Sequence, residues 1–434
     1  MTDGSQESDV AIAPLAMKTA SGANLLKAIG PGILVACAAV GGSHLVWSTR
    51  AGAEYGWSLV GLILLANLFK FPFFLYGQRY TAATGESLLA GYRRQGIGYV
   101  YVFLLVNILT GTINTAGVAM LSGALFAGYG FAGMEIRHLT VAILLICMVM
   151  ILLGHYRLLD RIAKIVVIVL SLTTFAAVGL AFQSGPVAAP SFVGPSPWSW
   201  SSFAFLVILL GWMPAPVDLS AWSSLWMFSR QEQTGHFATT RETSIDFYLG
   251  YVMAVVLAIV FVALGKLIMF GSGEAFSDSG IAFTNQLVAL YSANIGDWSR
   301  PLILTAAFVT MFSTTMTCVD GYPRSLAACC TLIAHSSKER FRQIHRFWII
   351  LSVAIASLIV LLFVKNLIQL LSFAAVISFV TSPVLAYINF KVMNGNNVPR
   401  KDRPGLFLRV LSWTGLLFFL LMSVGFVYVK FFRG

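Results

Sequence analysis

The chain has 434 residues, of which 58% are hydrophobic and only 10% charged, with a formal net charge of +11. This composition excludes a soluble domain, in which about half of the residues are apolar and about a quarter charged. The basic excess lies in loops that orient membrane spans, so no nucleic-acid partner is expected.

Residues 1–24 open on a polar run with Asp3, Glu7 and Asp9, lack the basic-then-apolar order of a signal peptide, and are expected to form a disordered cytoplasmic tail. Apolar runs long enough to cross the hydrocarbon core then follow near 29–50, 58–78, 98–127, 136–154, 160–183, 200–228, 245–271, 299–332, 346–364, 367–391 and 408–430. They do not alternate as barrel strands would. The fold class is an all-α integral membrane protein of about eleven transmembrane helices.

Basic residues fall in alternate loops, at Arg93 and Arg94, at Arg157, Arg161 and Lys164, at Arg230 and Arg241, from Lys338 to Arg346, and from Lys391 to Arg403. These loops share a side with Lys18 and Lys27, which makes the N-terminus cytoplasmic and, with eleven spans, leaves the C-terminus outside. Between them, residues 183–198 carry no charge, and 272–298 carry Glu274, Asp278 and Asp297 without a basic residue. A bacterial inner membrane is the expected setting. The five cysteines all lie within spans without metal-finger spacing and read as buried small hydrophobes.

Two spans are interrupted. The first breaks at Gly41-Gly42-Ser43-His44, and the sixth at Met213-Pro214-Ala215-Pro216, where each proline removes a backbone donor. Broken backbone at membrane depth is tolerated only where it is buried in protein or lines a wet cavity. The two breaks occupy matching positions in halves of opposite topology, 25–183 and 199–391, with 408–434 as an additional helix. That arrangement points to a substrate site at the midplane of an inverted repeat.

Polar residues near the breaks supply the chemistry. Asp218, five residues past Met213, is an intramembrane acid that reads either as a functional group or as a cap on the second half-helix. His44 either satisfies the unwound carbonyls of span one or is a titratable, coordinating group facing Asp218. Trp47 and Trp222 flank the breaks, and Ser313, Thr314, Thr315 and Thr317 make span eight polar. Asp320 and Arg324 are four apart and can pair on one helix face, while Lys70 can pair with Asp218 or Asp320.

The run from Gly30 to Leu68 resembles the first two helices of the Nramp family of proton-coupled divalent-metal transporters, through Gly30, Pro31, Ala51, Gly52, Ala53, Gly56, Leu64, Ala66, Asn67 and Leu68. Met213-Pro214 matches the family's Met-Pro-His motif. The resemblance implies a LeuT-type 5+5 inverted repeat with helices 1 and 6 interrupted. The family's Asp-Pro-Gly-Asn falls on Gly41, Gly42, Ser43 and His44. Its methionine falls on Met213, its carbonyl ligand on Leu210, its two histidines on Ala215 and Ser220, and its span-three acids on Thr112 and Thr115. The anionic metal ligand is therefore replaced by glycine.

The expected function is a secondary transporter working by alternating access, with Gly41, Gly42, Ser43, His44, Leu210, Met213, Ala215, Asp218 and Trp222 as substrate-binding residues. His44, Asp218 and Asp320 are the coupling candidates, possible proton carriers. The expected solute is a small organic cation or zwitterion, since two side chains are missing at the first break and aromatic residues flank it. The alternative is Mg²⁺ or Mn²⁺ held partly hydrated by Asp218, His44, Met213 and carbonyls; a further alternative is a non-transporting sensor. With neither a nucleotide-binding loop nor a hydrolase constellation, neither a cofactor nor an enzymatic activity is expected.

Overall fold

The computed structural model describes residues 24–130, 134–274, 276–277, 280–363 and 366–433. Residues 1–23, and with them nearly all of the expected tail, lie outside this set; Asn24 is described, and its side chain caps the short helix Leu25–Ala28.

Span one is built in pieces. Helix α1 (Pro31–Ala39) starts with proline at its first position, where no amide proton is needed. It ends at Val40, and after Gly41 and Gly42 the chain resumes as a π-helical stretch, Ser43–Ser48, that passes into α2 (Thr49–Tyr55). The two parts meet at 44°. Helix α3 (Val60–Thr84) is span two and contains Lys70 and Pro72; the short α4 (Leu88–Gln95) leads into α5 (Ile97–Ala127), span three.

Spans four and five join in one helix, α6 (Ile136–Ser184), where the sequence reading placed a loop. Between 155 and 167 there is no glycine or proline, so nothing in the local sequence stops the helix. Span six divides into α7 (Phe203–Trp212) and α8 (Leu219–Thr234), separated by residues 213–218. Then come α9 (Thr240–Ile268), α10 (Gly280–Ile295), α11 (Arg300–Ile333), α12 (Lys338–Phe363), α13 (Leu367–Met393) and α14 (Leu406–Tyr428). Helix α10 occupies a segment read from sequence only as a loop.

Among the described residues eight helices are long and apolar enough to cross a bilayer, or nine with the bent first pair counted once. The shortfall from eleven comes from α7, which is half a broken span, and from the second part of α6, Ile168–Ser184. Outward-facing Leu153, Leu172, Leu362, Leu417 and Leu421 are exposed apolar side chains suited to lipid. The interior is laid out around α11, which packs along α5, α6 and α12, and around α9, which packs along α1, α2 and α3. Both broken spans therefore pack against continuous helices of the bundle.

Candidate functional site

Between the two breaks lies a small cavity of about 30 Å³, lined by Ala38, Ala39, Gly42 and Ser43 of span one, by Trp212, Pro214, Ala215, Pro216, Leu219 and Trp222 of span six, and by Asn114, Val118, Thr314, Cys318 and Tyr322. A space of this size holds about one water molecule. Four of the expected binding residues, Gly42, Ser43, Ala215 and Trp222, line it.

The two glycines do not leave a vacancy. A Cβ built on Gly42 would stand 2.8 Å from Cζ3 of Trp212, and one on Gly41 would stand 2.8 Å from Thr314 Oγ1. The volume that the sequence reading assigned to missing side chains is filled by an indole and a threonine. Glycine is required here because two neighbouring elements approach the backbone closely.

Trp212 is held in place by its Nε1, which donates to Asn114 Oδ1 at 3.1 Å. The Asn114 amide in turn donates to the Tyr322 hydroxyl at 2.7 Å and to Ser378 Oγ at 3.1 Å. One asparagine on α5 thus links span six, α11 and α13. The resemblance puts the family's span-three acids on Thr112 and Thr115, where the carboxylates are lost. Thr112 instead bonds back to the Ile108 carbonyl at 3.0 Å, and Thr115 is buried away from the cavity. An amide side chain in an apolar helix was the signal that could have found Asn114, and Asn107 on the same helix shares it.

Asp218 is buried at 2% exposure and sits just outside the cavity wall. Its Oδ2 accepts from Thr110 Oγ1 at 3.3 Å, while Oδ1 has no hydrogen bond of ordinary geometry, although the Tyr322 hydroxyl and the Leu219 amide are neighbours. The side chain makes no capping bond to α8, although Asp218 holds the N-cap position. Its contact with the cavity is through Tyr322, whose ring also stacks edge-on against Trp222 at 4.4 Å between centroids.

His44 does not face Asp218. Its Nε2 lies 2.8 Å from the Ala254 carbonyl on α9, and its Nδ1 lies 2.6 Å from Ser43 Oγ and 3.1 Å from the Ala39 carbonyl. A neutral imidazole accounts for this geometry, with Nε2–H donating to Ala254 and Nδ1 accepting the Ser43 hydroxyl proton. The ring ties the unwound segment to α9. Met213 is fully buried off the cavity, and Gly41 likewise does not line it.

Lys70 pairs with neither acid by direct contact. Its ammonium is fully buried and donates to three backbone carbonyls, Leu210 at 2.8 Å, Gly211 at 2.9 Å and Ala215 at 2.9 Å. The carbonyl position expected of Leu210 is therefore already engaged. Asp320 is removed from the cavity too. It forms a two-point pair with Arg324, Nε to Oδ2 at 2.9 Å and a second nitrogen to Oδ1 at 2.6 Å, and also accepts from Trp226 Nε1 at 2.8 Å. Trp47 packs edge-on against Phe205 with Arg50 over its ring, and does not wall the cavity. Among the described residues no cluster of three or more His, Cys, Asp and Glu side chains could hold a metal ion.

Two broken spans, with a small and mostly apolar cavity between them inside a helical bundle, define a membrane transporter of the LeuT-type inverted-repeat fold. The chain belongs to the Nramp family: the family model described as natural resistance-associated macrophage protein-like matches residues 32–429. PM0681, an uncharacterized protein of Pasteurella multocida (strain Pm70), is 40% identical over 370 residues, 84% of each chain. Among solved structures, a manganese transporter of Eremococcus coleocola superposes with a TM-score of 0.65 at 14% identity, covering 95% of this chain and 89% of that one. Mhp1, a nucleobase-cation-symport-1 family transporter with bromovinylhydantoin bound, superposes with a TM-score of 0.60 at 14% identity, covering 93% of each. The broken spans and the family assignment agree with the expectations drawn from sequence.

Proposed function

We propose that this membrane transporter carries a small organic solute with a cationic or zwitterionic head, by alternating access between the halves 25–183 and 199–391. The observation that carries this reading is the cavity lining. Its walls are the aromatic rings of Trp212, Trp222 and Tyr322, and its polar groups are the neutral Ser43, Asn114 and Thr314. Apolar and aromatic walls with a few placed hydrogen-bond groups suit an organic molecule, whereas divalent cations are held by clustered carboxylate, imidazole or thiolate donors.

The cavity measures only about 30 Å³, so loading an organic solute requires it to widen. An amino group of the solute would meet Asp218 once Tyr322 moved aside. Basic residues in alternate loops support a cytoplasmic N-terminus, an outside C-terminus and a bacterial inner membrane.

The rival substrate is the manganese named for the Eremococcus protein, and the hydantoin named for Mhp1 is an organic compound on a similar frame. Thermal unfolding of the purified chain against Mn²⁺, Mg²⁺ and a panel of amino acids and amines separates the two. Saturable stabilisation by an amino compound that Asp218→Ala abolishes supports the organic solute. Saturable Mn²⁺ stabilisation that Asp218→Ala abolishes supports the metal instead.

A further inference from the structure

The three hydrogen bonds of the Lys70 ammonium lie at a place where a cation is called for chemically. Leu210 and Gly211 are in the last turn of α7, whose final carbonyls have no amide partner within the helix, and Ala215 lies in the unwound segment after it. Such orphan carbonyls carry the negative end of the helix dipole. In transporters built on broken half-helices, the same carbonyl set at a half-helix C-terminus coordinates the coupling cation.

We propose that the Lys70 side chain is the resident cation of this transporter: tethered to α3, it occupies the carbonyls of the span-six break in place of an inorganic cation, and the protein binds no Na⁺ there. All three ammonium protons are used at 2.8–2.9 Å, so no donor is left seeking a partner. Among the described residues no acid lies within ion-pair distance of Lys70. The stem arrives from a continuous helix on the far side of the break, so the charge is delivered by covalent attachment rather than by capture from solution. The assignment holds whichever solute the cavity carries.

The test is chemical rescue of the full-length protein. Lys70→Ala is expected to lower the melting temperature, and ethylammonium chloride is expected to restore it saturably, while propanol at equal concentration does not. Lys70→Met fills the stem without the charge and is expected to be destabilised without rescue. The assignment is overturned if Lys70→Met melts and transports like the native chain, or if ethylammonium does no more than propanol. Should Lys70→Ala not accumulate, the native chain still decides. Its melting temperature is expected to stay flat when NaCl replaces choline chloride at constant ionic strength, and a saturable gain with Na⁺ overturns the assignment.

Discussion

The Asp246 carboxylate on α9 accepts the Gly32 amide proton at 2.5 Å through Oδ2 and the Gly30 amide proton at 3.0 Å through Oδ1. It thereby caps the N-terminus of α1 from another helix, where Gly30 itself offers no side chain. Asp246→Ala removes two charge-assisted bonds from the end of the first half-helix. A loss of even about 1.4 kcal/mol raises the population with α1 displaced about tenfold. Alkylation of Cys37, which is 2% exposed on α1, is expected to accelerate accordingly, read by peptide mass spectrometry; an unchanged rate would show that the cap does not hold α1 closed.

The contact between Trp212 and Gly42 predicts what happens when the family acid is put back. Gly41→Asp has to displace Thr314 and Gly42→Ala has to displace the Trp212 ring. Each is expected to cost about 1–3 kcal/mol by overpacking, read as a fall in melting temperature. Gly41→Asp is also expected to gain no Mn²⁺ affinity by calorimetry, because the Leu210 carbonyl remains bonded to Lys70. Tight Mn²⁺ binding by that single variant would contradict this account.

His44 bridges the Ala254 carbonyl and the start of the unwound segment. His44→Ala is expected to remove the bond to the Ala254 carbonyl, at about 0.5–1.5 kcal/mol. Because the ring does not face Asp218 or the cavity, the pH dependence of uptake is expected to keep its shape. A displaced pH profile in reconstituted vesicles would restore His44 to a coupling role.

Asp320 is buried and Arg324 partly so, and removing the arginine leaves the carboxylate without its countercharge, with the Trp226 indole still donating to it. Arg324→Ala is expected to destabilise by about 3–5 kcal/mol, and the double variant with Asp320→Ala by less, since no lone charge remains. Equal melting temperatures for the single and double variants would mean that the pair is not coupled.

Much of this arrangement is written locally in the chain. Gly41-Gly42 and Pro214 with Pro216 announce the two breaks because backbone chemistry at those positions is decided by the residues themselves. Asp218, Ser43, Ala215 and Trp222 fall at or near the cavity for the same reason: they sit beside the breaks. What could not be read is what crosses between helices far apart in sequence. Trp212 and Thr314 fill the space above the glycines, Asn114 ties three helices, and Lys70 reaches a segment some 140 positions away. None of these follows from period or composition, because each depends on how one helix is rotated against another. The continuous α6 was missed because positive charges were taken to mark a loop, although they are compatible with a helix that has no residue to break it.

The Lys70 ammonium has a consequence for energetics. A free cation crossing with the solute exchanges about 2.3 kcal/mol with a membrane potential of 100 mV. A cation anchored through its own stem to α3 never leaves the membrane, so at the span-six break the voltage across the bilayer has no travelling charge on which to act. Uptake of a zwitterion by this protein would then be electrically silent at that site and governed by the solute's own concentration ratio.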